Sequence, residues 1–397
     1  MIAKQKSNQS GFAHIFILIL IVMVVIGAAG FLVFSKDGSK EKGASANEWK
    51  KDCTGTDRVA MTHKPMDMAD VSTVSPLGLT AGAHVTPIDH LYFYPKEGPR
   101  DKYPVYAMAD GAIIEIEVRE VNVSSGESRP PEYRIIMQHS CQTISYFDLV
   151  TKLDPSILAK APQAATKGFR GRIEIKAGQE VGRIGAQSLD TAIYNLDMTL
   201  KGFIHPSMYG AEPWKVHTDD FFSYFSEPNK GEMLAKNPRT VEPRSGKIDY
   251  DQAGKLIGNW FKQGTNGYAG PKNSHIGDGS GRGYWSGHLA IFYDALDPSK
   301  IDVSIGDFKN GQPMAFQVTD NKPDPADVSS SSGVVKYELL TAQQGVNQAS
   351  GSSSSSRVEG VILVQVMPNE KLKVEIFPGK TAAQVTGFTS AAMNYER

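Results

Sequence analysis

Two imidazoles and a carboxylate fall within seven residues in the stretch that contains His84, Asp89 and His90. Histidine nitrogens and aspartate oxygens suit zinc, and a catalytic zinc needs three protein ligands plus an open position. The stretch therefore supplies part of a metal site, and the remaining ligand must come from elsewhere in the chain. The alternative is structural: Pro87 makes a turn, Asp89 caps it, and both imidazoles hydrogen-bond to the backbone.

The composition limits which fold classes and which kinds of binding partner are expected. The chain has 397 residues, of which 40% are hydrophobic, and this is enough for two domains of ordinary size. A net charge of −1 gives no global basic field, so we expect no nucleic-acid partner. The 38 glycines and 22 prolines, with few long amphipathic patterns, favour strands and turns. We therefore predict a mainly β protein.

An uncharged apolar segment lies near the start of the chain. Residues 15–34 contain no charged side chain, and twenty residues at a rise of ~1.5 Å span a hydrocarbon core of ~30 Å. The apolar run continues past the small residues 27–30, which favours an uncleaved signal-anchor. Lysines flank both sides, so the orientation rests on the large trailing domains, which translocate largely regardless of flanking charge. We predict a cytoplasmic tail at 1–14, a transmembrane helix at 15–34, a stalk at 35–51, and the bulk of this single-pass protein outside the cytoplasm.

The chain has only two cysteines, Cys53 and Cys141, and they do not form a CxxC motif. A thiolate zinc site is therefore not expected. Both cysteines follow the apolar segment, so in an oxidising compartment they could form one disulfide that ties the juxtamembrane region to the first domain. Two separate thiols are the alternative.

Residues 52–206 have the pattern of short strands joined by sharp turns. In residues 112–119, aliphatic side chains alternate with charged ones, which predicts a strand with one buried face and one wet face. Strands are also predicted at 133–139 and 143–147, joined as a hairpin. Asp154 precedes a proline, which predicts the start of a short helix because aspartate caps and proline fits the first turn.

The remainder of the chain also reads as β structure. Residues 207–249 are an aromatic junction and linker, and residues 250–397 form an antiparallel β domain, a sandwich or a barrel, with a disordered Gly/Ser/Gln loop at 343–357. Seven short strands are predicted in that domain, at 255–260, 288–293, 300–305, 314–318, 334–340, 358–367 and 371–377. Three rings in one polar, glycine-rich stretch suit either sugar binding on an open loop or ordinary anchoring: Tyr268, Tyr284 and Trp285.

The order of motifs in residues 75–206 resembles that of the lysostaphin-type (LytM-like) zinc metallopeptidases, whose fold is the duplicated hybrid motif. The family pattern is a His-x3-Asp segment, an A-x-x-D-G turn, a strand ending near His, a Tyr-x-His segment, a glycine-rich GQ run and a final His-x-His strand. The matching stretches here are 84–89, 107–111, 133–139, 146–148, 178–185 and 195–198. The resemblance implies a β-sandwich/barrel-hybrid domain at 52–206, a zinc cofactor, and cleavage of peptidoglycan cross-links.

The matched positions depart from the family's residues. The first His and Asp are separated by one residue too many, Asp148 stands where the family has a catalytic histidine, and Asn195 and Asp197 stand where it has the His-x-His pair. A neutral amide cannot act as a base, and an ionised Asp148 would repel an oxyanion. Carried over by position, the resemblance gives a metal set of His84, Asp89 and Asp197, and a vestigial groove of His139, Asp148 and Asn195.

We therefore expect a membrane-anchored, extracytoplasmic protein whose LytM-like domain is inactive, holds no zinc, and binds or scaffolds cell-wall glycan or peptide. The first alternative is a zinc-dependent cell-wall endopeptidase with an atypical His/Asp ligand set. The second alternative is an envelope protein that binds a lipid or sugar inside the C-terminal β domain. The glycine-rich run at 178–185 also suits biotinyl or lipoyl carrier domains, but neither Lys176 nor Lys201 has the neighbours of a carrier lysine.

Overall fold

The computed structural model describes residues 48–122, 128–271, 283–341 and 357–397. The predicted transmembrane helix at 15–34, nearly all of the predicted stalk and all but the last residue of the predicted loop at 343–357 lie outside the described residues. Within the four described stretches, none of the helices has the length and apolar character needed to cross a membrane. The architecture there is mainly β, as predicted, and consists of two antiparallel sheets followed by a closed barrel.

Ten strands build the first part of the molecule. They are β1 Val71–Ser75, β2 Leu91–Pro95, β3 Tyr103–Tyr106, β4 Gly111–Asn122, β5 Ser128–Gln138, β6 Thr143–Val150, β7 Lys152–Leu153, β8 Phe169–Ile175, β9 Glu180–Ile184 and β10 Leu189–Asn195. Seven of them pair in the order β1-β2-β10-β6-β5-β4-β8, and the other three pair as β3-β9-β7. The last strand, β10, therefore lies between β2 and β6, so it faces residues from distant parts of the chain.

The strand predicted at 112–119 is present within β4, but its alternation is interrupted. The register with β5 shifts between Ile113 and Glu115, as it does in a β-bulge. The extra residue lets Ile113 and Ile116 both enter the main core, while Glu115, predicted on the wet face, is 6% exposed. The other face of β4 is consequently polar but covered.

In the described stretches, three short α-helices accompany the strands: α1 Pro155–Lys160, α2 Ala164–Lys167 and α3 Asn229–Leu234. The helix predicted after Asp154 is confirmed, and the Asp154 carboxylate caps it by accepting from the backbone N–H of Ser156 at 2.8 Å. The main core lies on the apolar face of the seven-stranded sheet and includes Phe93 and Phe147 from that sheet and Val181 from β9. The opposite face, called the polar face below, carries charged side chains beside a second, smaller apolar cluster.

Eight strands form the C-terminal barrel: β11 Gly258–Lys262, β12 His288–Tyr293, β13 Ile301–Lys309, β14 Gln312–Val318, β15 Val335–Thr341, β16 Val358–Met367, β17 Lys371–Pro378 and β18 Met393–Glu396. Each strand pairs with the next, and the ring closes where β11 pairs with β18. The seven predicted strands correspond to β11–β17, and β18 is the one that was missed. Trp260, Phe316 and Tyr337 are fully buried in the barrel's own core, so side chains fill its interior.

The aromatic junction joins the two halves. Phe221 and Phe222 are buried in the main core, and Tyr209 accepts a hydrogen bond from the Asn259 amide of β11 at 2.9 Å. The three rings considered for sugar binding are buried here too, at 4%, 7% and 8% exposure: Tyr268, Tyr284 and Trp285. They belong to the packed junction and do not form an open platform, because they contact one another and His288 in tilted and edge-to-face pairs.

Candidate functional site

The stretch with two histidines and an aspartate forms a loop before β2, and the structure does bring its side chains together. A short bridge between Ala81 and His84 opens the loop, and Val85 and Ile88 anchor it with 1% exposure each. The rings of His84 and His90 lie edge to face with centroids 5.7 Å apart. The Nδ1 of His90 lies 3.3 Å from the Asp89 carboxylate, and its Nε2 lies 3.1 Å from the Tyr92 hydroxyl.

A lysine from a distant part of the chain enters this loop. Lys215 lies on a 3-10 helix, Lys215–His217, and is 1% exposed. Its ammonium donates to the backbone carbonyl of Pro87 at 2.7 Å and lies 3.8 Å from the Asp89 carboxylate. Burial alone would raise the pKa of Asp89, but the Lys215 charge and the His90 hydrogen bond hold that pKa well below its usual range. Asp89 is therefore an ionised carboxylate whose cation comes from the protein itself.

His84 is neutral in this environment. Burial lowers the pKa of His84 to about 3, and repulsion from His90 and from Lys215 adds to the effect. A neutral imidazole has one nitrogen free of a proton, which is the form that ligates metals. The Lys215 ammonium, however, lies close enough to act on it. Among the residues that the structure describes, no three His, Cys, Asp or Glu side chains are placed to share a metal ion.

Strand β10 supplies the floor beneath the loop. Side chains alternate along a strand, so Asp190, Ala192 and Tyr194 share one face. Asp190 lies 3.5 Å from the Nε2 of His90 and is paired in register with Asp148 of β6. Burial, with repulsion from Asp148, raises the pKa of Asp190 to about 7 despite the opposing effect of His90. Ala192 contributes only a methyl group, so this strand presents no imidazole to the loop.

Asp148 is held by two arginines. The Arg119 guanidinium lies 2.8 Å from its carboxylate and that of Arg134 lies 2.9 Å away. Burial favours protonation, but these two cations lower the pKa of Asp148 below its usual value. The residue at the position of a family histidine therefore serves as the centre of a buried ion-pair network.

The structure places the other predicted residues elsewhere. Asn195 follows Tyr194 in β10, so it points to the opposite face, where its amide contacts Gln142 at 3.0 Å. His139 lies beyond the end of β5, and its ring bonds the Asp110 carbonyl at 2.9 Å and the Ser145 hydroxyl at 2.7 Å. Of the three groove candidates, Asp148 is the one on the polar face.

The third predicted metal ligand does not join the first two. Asp197 lies past the end of β10, and its half-exposed carboxylate accepts from the Lys50 ammonium at 2.8 Å. His84 and Asp89 lie near each other, as their shared electrostatic environment shows, whereas Asp197 belongs to a surface pair. Position in the motif pointed to Asp197, whereas strand geometry selects Asp190, seven residues earlier, as the acid that faces the loop.

Next to the loop, the polar face of the sheet forms a shallow cleft that is open to solvent, called the sheet-face cleft below. Its lining combines four aromatic rings with charged side chains: Trp49, Glu115, Glu117, Arg134, Ile136, Tyr146, Tyr194 and Trp214. The rings of Tyr146 and Tyr194 are parallel, with centroids 5.7 Å apart. Flat rings beside hydrogen-bonding groups suit a ligand that has an apolar surface and a polar edge.

The two cysteines form a disulfide, with Cα atoms 5.0 Å apart. Cys141 lies in the turn between β5 and β6, and Cys53 lies at the start of the described chain. The bond therefore attaches the segment that precedes the first domain to the end of the cleft-forming strands.

Several residues of this region could not be singled out from the sequence. Lys215, Asp190 and Arg119 stand far from His84 along the chain and belong to no motif. The alternation of Asp190, Ala192 and Tyr194 is a weak signal that could have indicated which side chains of β10 share a face.

No family model and no curated protein matches the chain. Among solved structures, similarity is found to a zinc-containing peptidase from Vibrio cholerae, 19% identical, covering 34% of this chain and 36% of that chain, with a TM-score of 0.23. Csd3 from Helicobacter pylori is 14% identical, with 35% of this chain and 31% of that chain covered and a TM-score of 0.23. Lysostaphin is 11% identical, with 87% and 94% covered and a TM-score of 0.20. The chain thus spans about a third of the first two structures. Likenesses at these TM-scores carry no argument, so function rests on the side chains described above.

Proposed function

We propose that this protein is a membrane-anchored, extracytoplasmic binding or scaffolding protein whose LytM-like domain works without metal-dependent peptidase chemistry. Residues 15–34 would anchor it, with residues 1–14 in the cytoplasm and the two β domains outside. Its partner would be cell-wall glycan or peptide, taken up on the polar face of the seven-stranded sheet.

The observation that carries this proposal is the Lys215 ammonium at 3.8 Å from Asp89. Two unit charges about 4 Å apart interact by about 4 kcal/mol at an effective dielectric constant of 20, and a divalent ion doubles that repulsion. A zinc ion bound by Asp89 would therefore compete with a cation that is part of the fold. The buried carboxylate already has its counter-charge, so the need for a metal is removed.

The floor of the site supports the same conclusion. A zinc hydrolase needs a third ligand, an open coordination position and a group that handles the proton of the attacking water. Strand β10 offers Asp190 and Ala192 at the loop, and Asp190 is engaged with His90 at 3.5 Å. The zinc-endopeptidase alternative relied on Asp197, which is paired with Lys50.

Two further observations favour an extracytoplasmic binding role. Disulfides such as Cys53–Cys141 form and persist in oxidising compartments. The sheet-face cleft lies on the same face as the loop and is open to solvent. The barrel interior, in contrast, is filled by Trp260, Phe316 and Tyr337. The alternative of a ligand held inside the barrel therefore has less support than binding at the sheet.

Metal analysis of the full-length protein in detergent tests the proposal. After incubation with zinc and removal of free metal, we expect well under one equivalent bound, and no cleavage of cross-linked cell-wall peptides. His84→Ala should leave the metal content unchanged, as should the matched control His139→Ala. Stoichiometric zinc that is lost in His84→Ala alone would overturn the proposal in favour of a metallopeptidase.

A further inference from the structure

The segment just before the first domain lies in the sheet-face cleft. Trp49 is only 4% exposed although it stands at the beginning of the described chain. Its indole stacks on Tyr194 at a centroid distance of 5.8 Å and on Trp214 at 5.6 Å. It also belongs to a separate apolar cluster with Ile136 and Tyr146 from the centre of the sheet. Trp49 thus fills part of a binding surface that the strands create.

The backbone of this segment is held by side chains of the sheet. The amide of Gln138, at the end of β5, donates to the carbonyl of Trp49 at 2.7 Å and to that of Lys51 at 3.3 Å. The Lys50 ammonium is paired with Asp197 just beyond β10. The segment itself is a turn, in which the Lys51 N–H donates to the Glu48 carbonyl at 3.2 Å. A ring in an aromatic slot, carbonyls held by an amide and one exposed ion pair are contacts that a peptide turn from another molecule could also make.

These contacts leave the segment replaceable. The indole N–H of Trp49 is buried without a hydrogen-bond partner in the described part of the chain. The cleft therefore leaves one donor of the bound segment unpaired, which weakens its binding there. Beside the indole the cleft stays open to solvent, and Glu117 and Arg134 line it there. An external ligand could therefore make the same contacts and additional ones.

The disulfide determines how strongly the segment competes. Cys53 follows Trp49 by four residues, and its partner Cys141 lies in the turn that begins β6. A short tether gives the tethered group an effective concentration in the millimolar range, and lengthening it lowers that concentration. With the bond intact the segment is attached beside its slot, and without it the segment is restrained only through the chain that follows.

We propose that the sheet-face cleft is a site for a peptide turn that carries an aromatic side chain, and that residues 48–51 are its built-in competitor, kept in place by Cys53–Cys141. A dithiol would open the site: two electrons and two protons convert the disulfide to two thiols, and the dithiol becomes a cyclic disulfide. This inference relies on the proposed function only in treating this face as a binding surface. Its test does not measure metal, so the two can fail separately.

The test uses the full-length protein in detergent and a fluorescent peptide of sequence EWKKD, which copies residues 48–52, followed by anisotropy. We expect Trp49→Ala to bind this peptide about tenfold or more tightly than the oxidised parent, because a tethered competitor at millimolar effective concentration has been removed. The control peptide EAKKD should not bind. Adding Trp214→Ala to the first variant should abolish binding, since Trp214 forms one wall of the slot.

A second arm keeps Trp49 and changes the tether. The parent treated with dithiothreitol, and the double variant Cys53→Ser/Cys141→Ser, should both bind EWKKD at a level between the oxidised parent and Trp49→Ala. This arm applies even if Trp49→Ala folds poorly. The proposal is overturned if a folded Trp49→Ala variant ignores EWKKD or binds EAKKD equally well. It is also overturned, in its redox part, if loss of the disulfide leaves binding unchanged.

Discussion

Each half of the molecule contains a buried cation, and the two are held in different ways. In the barrel, the Arg397 guanidinium donates to the carbonyls of Ile257 and Gln252 at 2.6 Å and of Lys255 at 2.7 Å. Its Nε donates to Glu370 at 2.8 Å, and the group lies over the Trp260 ring at 4.1 Å. Every nitrogen of this cation has a partner.

The Lys215 ammonium has far fewer partners. It donates to one carbonyl at 2.7 Å, lies 3.8 Å from the Asp89 carboxylate, and faces the Tyr268 ring at 5.5 Å. A guanidinium has five donors in a rigid fork, whereas an ammonium is a compact point charge. Arg397 therefore holds segments of the backbone together. Lys215 instead supplies a positive charge to the Asp89 carboxylate, in the loop that carries His84 and His90.

The largest effect is expected from Arg397→Met. Removing one partner of a buried charged network costs about 3–5 kcal/mol, because the remaining charges and carbonyls lose their partner. Urea denaturation followed by circular dichroism measures the change. The matched control is Arg357→Met, an 80% exposed cation paired with Glu359, where the change should stay within about 0.5 kcal/mol. Equal losses of stability in the two variants would show that Arg397 does not hold these backbone segments together.

Lys215→Met should cost about 3 kcal/mol, the lower end of the same range, because it leaves the buried Asp89 carboxylate without its counter-charge. If charge is the role of Lys215, the double variant Lys215→Met/Asp89→Asn should regain much of the loss. The double-mutant cycle in urea measures this coupling. A double variant no more stable than Lys215→Met would show that Lys215 stabilises the fold by its contacts, as Arg397 does, and that its charge on Asp89 is not what matters.

Acid should destabilise both halves through their buried histidines. Burial lowers the folded-state pKa of His84 and of His288 to about 3, against an unfolded value of 6.5. The stability that each neutral imidazole contributes is present above pH 6.5 and is lost as the pH falls towards 3, by about 1.4 kcal/mol per pH unit for each ring. Asp190 acts in the opposite sense, because its raised pKa of about 7 contributes stability below pH 3.8 that is lost as the pH rises through 7.

His288→Asn separates the two contributions. The amide can still donate to the Tyr268 carbonyl, which the His288 ring contacts at 3.0 Å, but it does not titrate. The urea midpoint of this variant, measured from pH 7 to pH 4, should fall less steeply with pH than that of the parent. The slope that remains should be the contribution of His84. An unchanged slope would show that the barrel-side histidine does not resist protonation.

The smallest effect is expected from Lys50→Ala. Its pair with Asp197 has side-chain exposures of 37% and 51%, and exposed pairs contribute about 0.2–1 kcal/mol. The thermal midpoint at low and high salt measures it, and the difference should shrink as salt screens the pair. A loss that is larger and independent of salt would mean that Lys50 holds the segment by packing.

Much of the fold follows from local patterns, and most of the site does not. Seven barrel strands and the helix capped by Asp154 were predicted because alternation and capping are local signals. The strand β18 was missed because Met393–Glu396 is four residues long and mixes polar with apolar side chains. The bulge in β4 was also missed, since a register shift depends on the partner strand.

For the site, the sequence located the loop with His84 and Asp89 because those residues are neighbours in the chain. It could not identify Lys215, whose side chain reaches Asp89 only through tertiary packing across 126 positions of sequence. It assigned Asn195 and Asp197 by motif position, whereas the pairing of β10 with β6 turns Asp190 towards the loop. Which face a strand residue occupies depends on register, and register is set by contacts that one sequence does not display.

The pairing of Phe261 in β11 with Glu396 in β18 completes a ring of inter-strand hydrogen bonds, so the barrel has no free rim strand. The seven-stranded sheet, in contrast, ends at β1 and β8. On β8, Arg170 and Arg172 are exposed and both signs of charge are present through Glu174, which discourages a foreign strand from docking there. Pairing with a foreign strand is therefore disfavoured by closure in the barrel and by charge at the β8 edge.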